Sequence, residues 1–408
     1  MRCGMGLWQK GLVWAGCALG AWALWAAEPQ TPSAQEKEPP TKVKFVMHRV
    51  GNYRSEACAV GDFNGDGKLD IIAGPYLYLA PDWKAVKVRE IFSDVNDEGK
   101  GYCHDFMNLA VDVDGDGRLD VVSCTWHEKR CTWYRNVGTD GKLWPEAVIE
   151  ENGNFECGDL VDINGDGKPL EILPHVQRTV WYDLVKGPDG KQGYVVRLVS
   201  EEKLNFGGGV GDINGDGRPD ILRPDAWYEA PADPRKGQWK KHPLALGGPD
   251  GKIEHTPQIL VYDVNADGLN DIVTSSAHRY GIFWYEQVRE GDQISWKQHV
   301  IDKSWTQAHS LALADLDGDG DLDLVTGKRF FAHNGGDPGA FEPLCVYWYE
   351  LKREKGQPPQ WIRHTISYNQ GIGSGMNIPV VDLDGDGDLD LVVTGKWGGP
   401  VWFENKLK

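Results

Sequence analysis

The chain has 408 residues, with 61 acidic against 43 basic side chains and a net charge of −18 with histidine neutral. That balance excludes general nucleic-acid binding, which depends on Lys and Arg clustered against phosphates. The length exceeds that of a usual single domain, which a repeat architecture tolerates because each unit packs only on its neighbours.

At the N-terminus, Arg2 and Lys10 precede an apolar run over residues 11–27 that ends in small residues, and Pro-, Gln- and Glu-rich residues 28–42 follow. This reads as a signal peptide (1–27) and a disordered spacer (28–42), so the expected location is secreted, periplasmic or at the cell surface, with no membrane span once the signal is cleaved. An uncleaved anchor is the competing reading, for which 17 residues lie at the lower limit. Ala15-Gly16-Cys17 hints at lipid attachment, but Trp14 before it argues against an anchor at Cys17. Without Arg2 and Lys10 the net charge approaches −20.

Residues 43–50 read as a strand with no sheet of their own. An aspartate-rich, glycine-punctuated loop then returns seven times, starting at Asp62, Asp112, Asp162, Asp212, Asp263, Asp315 and Asp382, at intervals of 50, 50, 50, 51, 52 and 67 residues. A fixed period of this size marks copies of one supersecondary unit, stacked or arranged radially. Oxygen-bearing side chains occupy loop positions one, three, five and nine, with Gly at six. That spacing lets a tight turn aim several carboxylates at one centre, and hard oxygen donors suit Ca²⁺.

The ligand sets are Asp62, Asn64, Asp66 and Asp70; Asp112, Asp114, Asp116 and Asp120; Asp212, Asn214, Asp216 and Asp220; Asp263, Asn265, Asp267 and Asp271; Asp315, Asp317, Asp319 and Asp323; and Asp382, Asp384, Asp386 and Asp390. The third loop keeps Asp162, Asn164 and Asp166 but has Leu170 at position nine, with Glu171 beside it as a substitute. Six sites are therefore complete and the seventh is not. Asp, Asn and Gly also build ordinary hairpin turns, but seven copies in register argue against that alternative.

Each unit runs alike. A strand enters the acidic loop, a second leaves it, a third carries an aromatic pair (Trp133-Tyr134, Trp181-Tyr182, Trp227-Tyr228, Trp284-Tyr285, Trp348-Tyr349, Trp402-Phe403), and a fourth follows. Four short strands per unit of about 50 residues, with hardly any helical periodicity, predict an all-β, seven-bladed β-propeller over residues 43–408. The last unit stops after its third strand, so residues 43–50 are expected to complete the seventh blade and close the ring.

Six cysteines follow the signal, Cys58, Cys103, Cys124, Cys131, Cys157 and Cys345, with no metal-binding spacing and fifteen conceivable pairings. Most read as buried thiols. No phosphate-cradling loop stands out either, since Phe206-Gly207-Gly208-Gly209 precedes a strand rather than a helix.

With Asp382-Leu383-Asp384-Gly385-Asp386-Gly387-Asp388-Leu389-Asp390 as its fullest copy, the repeat resembles the calcium-binding FG-GAP/VCBS propellers, similar to the head of integrin α chains and to the propeller of aldos-2-ulose dehydratases. The Gly-Ala-Pro half of that motif is nearly absent, with only Ala73-Gly74-Pro75 approaching it, which favours the VCBS-like branch. The resemblance implies bound calcium and places the acidic loops on the lower face of the ring.

On that geometry His48, His242, His299 and His364 share one place in the fourth strand and read as structural, while the other seven histidines map to the upper face. His104, His255 and His309 lie where first strands begin, and His127, His175, His278 and His333 follow second strands. Trp126, Trp305, Trp397, Lys328, Arg329, Lys396, Glu56, Asp105, Glu156 and Asp225 share this address. The longest period comes from an upper loop over residues 327–339, and long loops on a rigid ring often carry function.

Indoles stack on sugars, cations hold carboxylate or enolate oxygens, and neutral imidazoles accept protons near pH 7. The leading expectation is a carbohydrate-binding mouth with Trp126, Trp305, Trp397, Lys396, His127 and His278 contacting the ligand. If it is a lyase or dehydratase, β-elimination would use His309 or His255 as base, and Lys328, Arg329 or an added divalent metal held by histidines as enolate stabiliser. His104 or His333 would protonate the leaving oxygen. A hydrolase on Glu156 and Asp225 is a further option. The alternative is a non-catalytic propeller that recognises glycan or protein.

Overall fold

The computed structural model describes residues 40–151 and 153–407. The expected signal peptide and nearly all of the spacer lie outside the described residues. Among the described residues no helix is long and apolar enough to cross a membrane.

Seven four-stranded antiparallel sheets account for the strands, over residues 58–87, 107–151, 157–200, 209–243, 260–306, 308–368 and 380–405, the last completed from the N-terminal side. We number these blades 1 to 7. Phe45–Tyr53 pairs antiparallel with Gly399–Asn405, from Phe45 opposite Asn405 to Tyr53 opposite Gly399. The ring is thus closed by joining its two ends, which removes an open sheet edge.

The second strand of each blade is sandwiched between neighbouring blades, and its sequence shows it. Asp120–Thr125 and Asp323–Lys328 are buried at every position around the apolar pairs Val121-Val122 and Leu324-Val325. Fourth strands form the outer rim, and Lys84–Lys87 keeps its lysines in solvent. The aromatic pairs of the third strands fill the space between blades, with Trp181, Tyr182, Trp348 and Tyr349 almost fully buried.

The four fourth-strand histidines serve one repeated lock. His48, His242, His299 and His364 lie opposite Trp402, Trp227, Trp284 and Trp348 in register. Each ring stacks on its indole at 4.0–4.4 Å between centroids. Each Nε2 also lies 2.7–2.9 Å from the glutamate two residues beyond that Trp, namely Glu404, Glu229, Glu286 and Glu350. The six cysteines of the ring are all buried and unpaired.

The acidic loops hold themselves open by accepting their own backbone. In the first, the Asp62 carboxylate accepts N–H groups from Gly65 at 2.7 Å, Asp66 at 3.1 Å and Gly67 at 2.9 Å. Gly65 and Gly67 adopt φ of 75° and 83°, angles that side chains resist. Asp70 ties the loop to the blade, accepting from Phe63 N at 3.2 Å and Ala80 N at 2.9 Å. In the third loop Glu171 makes the equivalent bond, from Ile163 N at 3.2 Å, while Leu170 turns outward. The longer side chain one residue later thus reaches the same point.

Candidate functional site

Acidic loops join first to second strands, so in an antiparallel blade the starts of first strands and the second-to-third loops lie at the opposite edge of the ring. Both places feed one mouth. His309 stands at the start of the first strand of blade 6, Ala308–Ala314, and Glu156 just before that of blade 3, Cys157–Val161. His278 follows the second strand of blade 5, Asp271–Ser275, and Arg329 follows that of blade 6, Asp323–Lys328.

Glu156, His278 and His309, the outermost two 153 residues apart in sequence, bring one donor atom each to within 4.8 Å of one another. His309 Nε2 lies 3.2 Å from Glu156 Oε1 and 3.0 Å from Arg329 Nη1, and His278 Nε2 lies 3.7 Å from the same Glu156 oxygen. Arg329 is in turn pinned by Glu56, with Nε donating to Oε1 at 2.7 Å and Nη2 to Oε2 at 3.4 Å.

Burial pushes the His309 imidazole down to about 4, helped by the Arg329 charge, so it is neutral at physiological pH, and its Nδ1 has no hydrogen-bond partner. Burial alone would raise Glu156, but the facing imidazoles of His278 and His309 hold its carboxyl well below the usual range. Burial likewise opposes ionisation of Glu56, and the charges of Arg329 and Lys396 overcome it. His278 goes the other way. Burial would lower it, yet Asp337 and Glu156 raise it above an ordinary histidine.

The long upper loop of blade 6 completes the group. Asp337 accepts from His278 Nδ1 at 3.1 Å and from His333 Nδ1 at 2.8 Å. His255 lies at the border, its ring 6.3 Å from that of His278. Phe206 N–H donates to its Nδ1 at 3.0 Å, which leaves the proton of the neutral ring on Nε2. Met376, fully buried, accepts at its carbonyl from Gln258 Nε2 at 3.2 Å and gives its N–H to Glu56 O at 2.6 Å.

Other residues expected at the site have different employment. Lys328 is fully buried, its Nζ donating to Thr306 Oγ1 at 2.8 Å and Glu342 Oε2 at 3.3 Å. Lys396, pushed down to about 8 by burial, donates to Phe331 O at 2.7 Å and Gly101 O at 3.2 Å and lies 4.1 Å from the centre of the Tyr102 ring. Both lysines clasp upper loops together. Trp305 belongs to the core, with Nε1 donating to Tyr349 Oη at 2.9 Å. Trp397 packs on the blade 6 and 7 core, and Trp126 lies 4.9 Å from Phe206.

His104 and His127 stack on each other at 4.2 Å, with His104 paired to Glu128. His175 is buried 3.1 Å from Asp159. Asp225 accepts from Asn205 N at 2.7 Å, and Asp105 is locked in a buried network with Arg89 at 3.0 Å. A groove of 660 Å³ on the outer rim, lined by Trp284, His299 and Trp361, is separate from the mouth.

Asp337 is the mouth residue that the sequence did not single out. Its one signal was membership of the long loop, four residues after His333. On the lower face, the loops with Asp at the third position bring three carboxylate oxygens within 4.8 Å, as in Asp112, Asp114 and Asp120, in Asp315, Asp317 and Asp319, and in Asp382, Asp384 and Asp390. In the other four loops an asparagine amide stands at the third position. Clusters of this kind are able to chelate a divalent ion.

Residues 112–171 and 263–326 match the family model of the FG-GAP-like repeat. The chain carries FG-GAP-like repeats. Each matched stretch begins at one acidic loop and extends through the next. No curated protein matches the chain. Among solved structures, the exotype rhamnogalacturonan lyase YesX is 12% identical at a TM-score of 0.48, over 90% of this chain and 76% of that one. The extracellular domain of BT4673 from B. thetaiotaomicron is 13% identical at 0.44, over 88% of this chain and only 39% of that one. The V. cholerae biofilm matrix protein Bap1 is 13% identical at 0.35, over 84% and 78%. None of these likenesses assigns a role to a residue of this chain.

Proposed function

We propose that the chain is a recognition propeller that binds a carbohydrate at its histidine-lined mouth and calcium in its acidic loops. The observation that carries this reading is the convergence of Glu156, His278 and His309 from three blades on one point within 4.8 Å. Such a mouth offers a carboxylate acceptor, a fixed donor at His255 Nε2 and imidazoles able to serve either way, which suits a ligand dense in hydroxyl groups.

The resident cation of the mouth is the Arg329 guanidinium. A divalent ion among Glu156, His278 and His309 would need the His309 Nε2 lone pair, which Arg329 faces at 3.0 Å. Two cations that close in a buried site repel strongly. The acidic loops differ, having an oxygen-rich donor set with glycine turns already formed. Calcium there would be held by positions one, three, five and nine of six loops, with Glu171 completing the third. Its chemistry would be neutralisation of the clustered carboxylates.

A second reading, elimination from a uronate or keto-sugar, draws on the neutral His309 next to Arg329. His309 would take the proton next to the carbonyl, Arg329 would face the enolate oxygen, and collapse of the enolate would break the β C–O bond, with His104 or His333 protonating the departing oxygen. The commitment of Lys328 to Thr306 and Glu342 removes one expected stabiliser and leaves recognition as the better supported reading.

Calorimetric titration against a panel of neutral and acidic oligosaccharides tests this. Binding that E156Q weakens tenfold or more supports the mouth as the site. Absence of glycan binding, or binding indifferent to E156Q, would sink it. New enone absorbance on uronate polymers would instead favour elimination.

A further inference from the structure

We infer that Asp337 is a positioning residue, which orients His278 and assigns its fixed proton to Nδ1 so that Nε2 is the nitrogen presented to Glu156 and to a ligand. The inference rests on reading the mouth as the ligand site.

The geometry carries it. Both Asp337 oxygens are engaged by imidazoles, Oδ2 with His278 Nδ1 at 3.1 Å and Oδ1 with His333 Nδ1 at 2.8 Å. An ionised carboxylate only accepts, so both facing nitrogens must be donors. With Nδ1 so occupied, every gain or loss of a proton by His278 happens at Nε2, 3.7 Å from Glu156 Oε1. Protonated, His278 is a donor between two carboxylates. Neutral, it offers a lone pair at the mouth. His255 has the opposite arrangement, its Nδ1 accepting from Phe206 N–H at 3.0 Å, so the mouth contains one fixed donor and one switchable group.

The fold invests in keeping Asp337 there. Phe331, His333 and Asn334 take φ of 50°, 49° and 56°, a left-handed conformation that non-glycine residues hold only when their surroundings over-determine it. Those surroundings are visible. Lys396 Nζ donates to Phe331 O at 2.7 Å, Gly101 N to Asn334 Oδ1 at 2.9 Å, and Thr306 Oγ1 to Pro338 O at 2.9 Å. The clasping lysines thus serve the loop that delivers Asp337. The charged and titratable groups around His278 are Asp337, Glu156, His333, His309, His255 and Arg329, and the two carboxylates raise it against its burial.

Imidazole ¹⁵N NMR on the full chain, with His278 assigned through H278Q, tests the inference without any ligand and so separately from glycan binding. In the wild type the neutral His278 ring is expected to carry its proton on Nδ1. In D337N its titration midpoint should fall by about 1–2 pH units and the Nε2–H tautomer should grow in. D337E, which restores a carboxylate, should recover part of the shift. A wild-type ring protonated on Nε2, or a D337N spectrum with unchanged midpoint and tautomer, would overturn the inference. Should D337N fail to fold, the wild-type tautomer alone decides.

Discussion

Arg329 Nε donates to Glu56 Oε1 at 2.7 Å, joining blade 6 to the start of blade 1 across 273 residues of sequence. Both side chains are almost fully buried. Removing one partner would strand the other charge in the interior, which typically costs about 3–5 kcal/mol, whereas removing both is far milder. E56Q is therefore expected to lower the urea midpoint sharply, and E56Q/R329M to regain part of the loss. Equal stability of the single and double variants would show that the pair does not act as a unit.

Acid should loosen the mouth through His309. Its folded value of about 4 lies below the 6.5 of an ordinary histidine, so between those pH values the unfolded chain binds a proton that the folded chain refuses. The contribution is complete above pH 6.5 and is lost as pH falls towards 4. His255 and His127, lowered by burial, act in the same sense, and the raised His278 acts in the opposite one. Between pH 7 and pH 5 wild type should lose up to about 2 kcal/mol more than H309Q. Parallel stability curves for the two proteins would contradict this.

Chelation tests the acidic loops. If calcium fills them, each site at 100-fold excess over its Kd contributes about 2.7 kcal/mol, and EGTA should lower the melting temperature markedly, with recovery on adding back Ca²⁺. An unchanged transition would count against structural calcium.

Blade 5 has a natural defect in its loop. Ala266 occupies the place held by Gly65 in blade 1 and takes φ of 59°, where a Cβ is strained. A266G is expected to stabilise the protein by about 0.5–1 kcal/mol, and G65A to destabilise it by a similar amount. Thermal melts of both variants decide the sign. If A266G is neutral or destabilising, strain at this position is absent.

Much of the ring was legible because its signals are local and repeated. Asp162 to Asp166 named a loop even with Leu170 out of place, and the substitution by Glu171 needed only a one-residue shift. The equivalence of His48, His242, His299 and His364 was equally readable. Their stacking on Trp402, Trp227, Trp284 and Trp348 follows from strand register alone.

The mouth was legible as a neighbourhood and not as a site. Period and strand order place His104, His255, His278, His309 and His333 at one edge of the ring, but they do not say which of them turn inward. His309 and Glu156 meet because blades 6 and 3 face each other over the channel, a consequence of closure. Lys328, Lys396 and Trp305 share that edge yet are consumed in clasping and packing, because a buried cation or indole must be satisfied by whatever backbone lies near. Asp337 escaped notice because its loop conformation has no repeat partner and is set by contacts from other blades.

The sequence by itself determined the blade count, the ring closure and the seven acidic turns, since hydrogen bonding within a turn and alternation within a strand depend on neighbouring residues. Tertiary structure alone decided which distant side chains share the mouth and which nitrogen of His278 faces it. Those outcomes depend on the curvature of the closed ring and on the strained loop of blade 6, neither of which any short stretch of sequence encodes.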